Sequence, residues 1–132
     1  MKSRDTLIRL KRFQAEEKRR RVAQIETMIA EFSRMAGDLD REIAGEEQRS
    51  GVADPAHFAY STYARAARVR RDNLHQSAAE LRGQLEEAKA RLEEANQELA
   101  KAQSMEVRDK GATETVRERP ESTAGMVGLA RI

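Results

Sequence analysis

The chain has 132 residues, of which 36% are charged and only 4% aromatic, and its net charge is +2. It is at most one domain, and so few large apolar side chains favour an extended helical structure over a thick core. The charge is too balanced to mark a polyanion binder, and the absence of cysteine excludes disulfides, thiolate metal sites and thiol catalysis.

Ser3, Asp5 and Thr6 offer side-chain oxygens that can cap a helix, and a first helix is expected over residues 4–45. Its opening turns carry Leu7, Ile8, Leu10 and Phe13. Glu16, Glu17 and the run Lys18-Arg19-Arg20-Arg21 then interrupt the apolar pattern, as a local phase change would. From Val22 the pattern is regular: Ile25, Ile29, Phe32, Ala36, Leu39 and Ile43 follow in alternating steps of three and four. That spacing averages about 3.5 residues, the repeat of a coiled-coil seam.

Residues 46–54 read as the turn, with Gly45 just before it and Gly51 within it supplying permissive backbone. Asp54-Pro55 places a capping oxygen before a residue of preset φ, which predicts that a second helix starts at 55. It is expected to run over 55–109 and to stop at Gly111. Its seam is Leu81, Leu85, Ala88, Leu92, Ala95, Leu99 and Ala102. Residues 110–132 hold Gly, Ser, Thr and Pro120 without a sustained period and read as a flexible tail.

The fold class expected is all-α, a two-helix antiparallel coiled-coil hairpin with a disordered C-terminal tail. Charge supports antiparallel pairing. Basic residues outnumber acidic ones over 1–22, whereas Glu86, Glu87, Glu93, Glu94 and Glu98 outweigh Lys89 and Arg91. Flanking charges contribute little energy but select orientation. Alanines on the seam let helices approach closely, so Ile8 or Phe13 is expected opposite Ala95 and Ala88.

Little in the chain suggests catalysis. His57 and His75 are 18 positions apart, too far for two ligands on one helical face, and Ser61, Thr62 and Ser77 have no base near in sequence. No phosphate-binding loop pattern occurs. The Lys18–Arg21 run reads as a solvated face paired with acids of the second helix, because no interleaved aromatics stand ready to stack on bases. The expectations are therefore no enzyme, no metal, no cofactor and no nucleic acid. Met1 is followed by polar residues, and no apolar run approaches the ~20 residues that cross a bilayer. A cytoplasmic protein is expected, with any membrane contact peripheral and through partners.

Two features depart from the seam pattern. Arg71 falls on the seam between Ala67 and Leu74, either as a packed stem with its head in water or as a docking residue. Phe58, Tyr60 and Tyr63 cluster after the turn. Tyr60 is in phase with Ala64 and Ala67 and reads as core. Tyr63 lies about 60° off that line and Phe58 nearly opposite it, so these two suggest a partner contact.

The basic start containing Arg9-Leu10, the first helix rich in Glu, Arg and Ala, the turn and the start of the second helix, FAYSTYARAA, together resemble the FliJ-type flagellar export proteins over about residues 1–110. These are small coiled-coil components of the bacterial type III protein export apparatus. The resemblance implies a non-enzymatic hairpin, similar to the central stalk of rotary ATPases. It would meet the hexameric export ATPase and the cytoplasmic part of the membrane export gate, and handle export chaperones. It maps the ATPase contact to Leu7, Arg9, Leu10, Arg12 and Phe13, with Met105 and Arg108 on the second helix. It maps the gate contact to Phe58, Tyr60, Tyr63 and Arg65. The family ends its second helix with a basic, Leu-containing segment, where this chain has SMEVRDKGATE. A generic structural or chaperone-like coiled-coil adaptor is the alternative reading.

Overall fold

The protein is an all-α helical hairpin in a computed structural model, which describes the backbone of residues 2–131 and the side chains of residues 3–108 and 111. Helix α1 spans Lys2–Ser50 and helix α2 spans Thr62–Arg131, and no strand occurs among the described residues. The paired helices divide into two compact units, one formed by Lys18–Leu92 and the other by Met1–Glu17 with Glu93–Ile132.

In the Lys18–Leu92 unit the seam of α1 packs on that of α2. Val22, Ile25, Leu81 and Ala88 form one buried cluster, with Met28, Ile29, Phe32, Leu85 and Leu92 packed against it. Leu39, Ile43 and Ala67 form a second, closed by Leu74. Ala36 and Ala64 have no exposed surface at all, as close helix approach at small residues requires. In the other unit Ile8, Ala15 and Ala102 are buried.

Burial follows the 3.5 repeat along α1 without a phase change. Ile8, Lys11, Ala15, Lys18, Val22 and Ile25 are each buried or half-buried, in steps of three and four. The expected interruption between Phe13 and Val22 is therefore absent. Lys11 and Lys18 occupy seam positions, where a long aliphatic stem can pack while the ammonium stays wet. Lys11 keeps 26% of its side chain exposed and brings its ammonium to 3.9 Å from Glu98. Phe13 lies off the seam and is 56% exposed, so it does not fill a layer opposite Ala88, which instead packs in the Val22–Ile25 cluster. The seam of α2 is equally regular from Tyr60 to Glu106.

The helix boundaries differ from expectation at the turn. α1 runs five residues past Gly45, to Ser50, and ends at Gly51, whose φ is +72°. The Gly51 N–H donates to the Glu47 carbonyl at 2.9 Å, the single bond of a left-handed helix terminus. Gly51→Ala places a Cβ on that backbone and is expected to lose about 1 kcal/mol, with Gly51→Asn recovering part of it. Urea unfolding followed by circular dichroism measures both, and an unchanged midpoint for the alanine variant would refute this account of the helix end.

α2 starts at Thr62, not at residue 55. Asp54 does cap a turn, its Oδ1 accepting from the Ala56 N–H at 3.0 Å. The chain then bonds only locally, through His57 N–H to the Asp54 carbonyl and Tyr60 N–H to the His57 carbonyl. Ser61 is the true cap: its hydroxyl accepts from the Ala64 N–H at 3.2 Å, three residues on. α2 also continues through Gly111 to Arg131, so that glycine is not a stop. The flexible tail expected over 110–132 falls, Gly111 apart, outside the described side chains.

Candidate interaction surfaces

The first surface belongs to the unit containing both helix ends. Leu7, Leu10 and Phe13 follow one another at intervals of three, and each step moves about 60° around a helix. The stripe therefore winds off the buried side marked by Ile8 and Ala15. Leu7 is 39% exposed and Leu10 is 49% exposed. On α2 of the same unit, Met105 and Val107 are exposed as well. Arg9, Arg12 and Arg108 are exposed and, among the described residues, make no ion pair or hydrogen bond. The seven residues mapped to an ATPase contact thus lie within one unit and all face solvent. Val107 was not singled out from the sequence, since an isolated valine outside the seam carries no signal of its own.

Pairing with acids of α2 is expected along the Lys18–Arg21 run and does not form at Lys18, Arg20 or Arg21. Lys18 and Arg20 have no ion pair among the described residues, and Arg21 donates to Gln24 on its own helix at 3.1 Å. Lys11 and Glu98 form an interhelical ion pair in the terminal unit. Exposed ion pairs add little net energy, so nothing compels these long side chains to fold across.

The second surface lies where α2 begins. Phe58 is 95% exposed and stacks on the His57 ring with centroids 4.7 Å apart. It protrudes because it sits in the irregular turn, not because of its place on a helical face. Tyr60 is 4% exposed and belongs to the core. Its hydroxyl donates to Glu47 at 2.9 Å, and the Arg65 guanidinium lies over its ring, 5.4 Å from the centroid. Burial, with the Glu47 bond second, raises the Tyr60 pKa. Of the residues mapped to a gate contact, Tyr60 is therefore enclosed by the hairpin itself, whereas Phe58, Tyr63 and Arg65 are free to meet a partner.

Tyr63 is 55% exposed and its hydroxyl donates to Glu42 at 2.9 Å, a bond that raises its pKa. The Ser61 hydroxyl reaches Glu46 at 3.2 Å, and the bond from Arg49, with Ser61 second, lowers the Glu46 pKa. Three acids at the end of α1 thus accept hydroxyls from Tyr60 and Ser61, just before α2, and from Tyr63 in its first turn. The sequence signal for this was present, in carboxylates at 42, 46 and 47 facing hydroxyls at 60, 61 and 63 across a turn. It becomes readable only once the register of the hairpin is known.

Arg71 keeps 21% of its side chain exposed and donates to Asp40 at 3.0 Å and to Asp72 at 3.1 and 3.2 Å. The bond to Asp40, with Asp72 second, raises its pKa. Its stem packs on the seam and its nitrogens hold α1, which leaves less of it for a partner than an unpaired arginine would offer.

Among the described residues no group of histidines and acids is placed to hold a metal ion, and no helix is long and apolar enough to cross a membrane. The chain matches no protein-family model, no curated protein and no solved structure.

Proposed function

We propose that the chain is a non-enzymatic component of a flagellar type III protein export apparatus, where it bridges the export ATPase ring and the membrane export gate and handles export chaperones. It acts in the cytoplasm and meets the inner membrane peripherally, through those partners. The observation that carries this reading is the start of α1: Leu7, Leu10 and Phe13 are held out of the core beside Arg9 and Arg12, which have no partner among the described residues. A solvated helix has no use for three large apolar side chains in seven positions. Covering the exposed half of each with a partner contributes about 1 kcal/mol, and unpaired guanidiniums add specificity for carboxylates. The resemblance to FliJ-type proteins assigns this segment to the ATPase, and the exposed Phe58 and Tyr63 support a separate contact with the gate.

The test is binding of the purified chain to the export ATPase encoded in the same genome, followed by calorimetry and by the rate of ATP hydrolysis. The native chain is expected to bind and to change that rate. Leu10→Ala with Phe13→Ala is expected to weaken binding by about ten- to a hundredfold while leaving the helical circular dichroism signal intact. A native chain that neither binds the ATPase nor alters its rate overturns the reading and leaves the generic adaptor in its place.

A further inference from the structure

We propose that Lys11 and Lys18, two cations on the seam of α1, make the unit formed by Met1–Glu17 and Glu93–Ile132 an end that opens on its own, ahead of the Lys18–Leu92 unit. Opening parts the two helices there and uncovers the apolar side chains between them.

A heptad seam closes by burying large apolar side chains layer upon layer. The Lys18–Leu92 unit does so: both buried clusters lie within it, and Val22, Ile25, Leu39, Ile43 and Leu81 are enclosed there. Its helices are also tied by the bonds from Tyr60 to Glu47, Tyr63 to Glu42 and Arg71 to Asp40. The terminal unit buries Ile8, Ala15 and Ala102, of which Ile8 alone is large. At the seam positions on either side of Ala15 stand Lys11 and Lys18, both half-buried. Lys18 marks the boundary between the units. A leucine at such a position buries its whole side chain, whereas a lysine buries its stem and keeps its ammonium in water.

The Lys11 ammonium does not make up the difference. It meets Glu98 at 3.9 Å, and Glu98 is 51% exposed, a pair too long and too wet to clamp two helices. Polar residues on a seam lower the stability of a coiled coil, and each large apolar side chain that a layer lacks favours opening by about tenfold or more. On α2 the weak layers lie well inside a helix that continues from Ala102 to Arg131, so opening is a parting of the seam and not the fraying of an end. Opening frees Ile8 next to the exposed Leu7 and Leu10, and it uncovers the half-buried Leu99 on the helix that carries the exposed Met105. The open form therefore presents more apolar surface than the closed one, and the two lysines set how often it forms.

The test is amide hydrogen exchange of the full-length chain, resolved by residue with nuclear magnetic resonance and divided by the intrinsic rates. In the native chain the amides of residues 8–15 and 95–102 are expected to exchange about a hundredfold faster than those of residues 22–43 and 74–88. Lys11→Leu with Lys18→Leu is expected to slow the terminal amides by about tenfold or more and to narrow that gap. Lys101→Leu makes the same chemical change in the same unit at a side chain 73% exposed, and it is expected to leave the gap as it was. Equal protection of both units in the native chain overturns the proposal, and so does a double variant that keeps the native gap. Protection in the double variant that falls on dilution also overturns it, because the leucines would then have recruited a second copy. No export component enters this experiment, so its failure leaves the ATPase reading standing, and failure of that reading leaves the opening of this unit intact.

Discussion

Ile25→Ala is expected to destabilise the hairpin by about 2–5 kcal/mol. Ile25 is the largest fully buried side chain, 1% exposed, in the cluster with Val22, Leu81 and Ala88. Two effects compete. Alanine is the better helix former, by a few tenths of a kcal/mol at one position. Against that stand the lost transfer of three carbons from water and the cavity they leave, which are several times larger. At roughly 4–8 °C per kcal/mol for a domain of this order, the melting temperature falls by about 10 °C or more. Thermal unfolding followed by circular dichroism reads it, with Val69→Ala, at an exposed position, as the control that changes little. A loss below about 1 kcal/mol at Ile25 would mean that this cluster does not close as described.

Ala64→Leu is the converse experiment, adding carbons where no space exists. Ala64 has no exposed surface and Ala67, one step along the seam, has 4%. A leucine at 64 gains apolar burial only if the helices separate to admit it. Separation there breaks the bonds from Tyr60 to Glu47, Ser61 to Glu46 and Tyr63 to Glu42, which tie the two helices beside the turn. Overpacking of this kind costs about 1–3 kcal/mol, and the lost cross-turn bonds place the expected value in the upper part of that range. Urea unfolding gives the number. A variant as stable as the native chain would show that the helices at this end have slack, and that the alanine seam is not what sets their distance.

Both expectations rest on a feature that is plain in the sequence and on one that is not. The 3.5 repeat over Val22–Ile43 and Leu81–Ala102 is visible because alternating steps of three and four, sustained over several turns, keep the apolar residues on one narrow stripe. Before Val22 the repeat is not legible in the residues, because a hydropathy pattern counts Lys11 and Lys18 as breaks. In the folded chain both are half-buried on the seam, since a lysine stem packs like an aliphatic one while its head reaches water. Phe13 shows the opposite: a large apolar residue near a seam suggests a core position, yet it stands outside.

The pairing of two helices through a heptad seam, their close approach at small residues, and the place of Phe58 and Tyr63 outside the seam are legible from the residues alone. These follow from periodicity and composition, which act locally and repeat many times along the chain. The register of the hairpin, in contrast, fixes where α2 begins, which hydroxyl meets which carboxylate, and that Tyr60 is enclosed while Tyr63 stays exposed. Asp54-Pro55 is a sound local start signal, but Ser61 caps the helix instead, where Tyr60 and Ser61 also bond to the end of α1. Those contacts join residues 13 and 15 positions apart, and a pairing across a turn is fixed by register, a property of two helices together that neither one encodes alone.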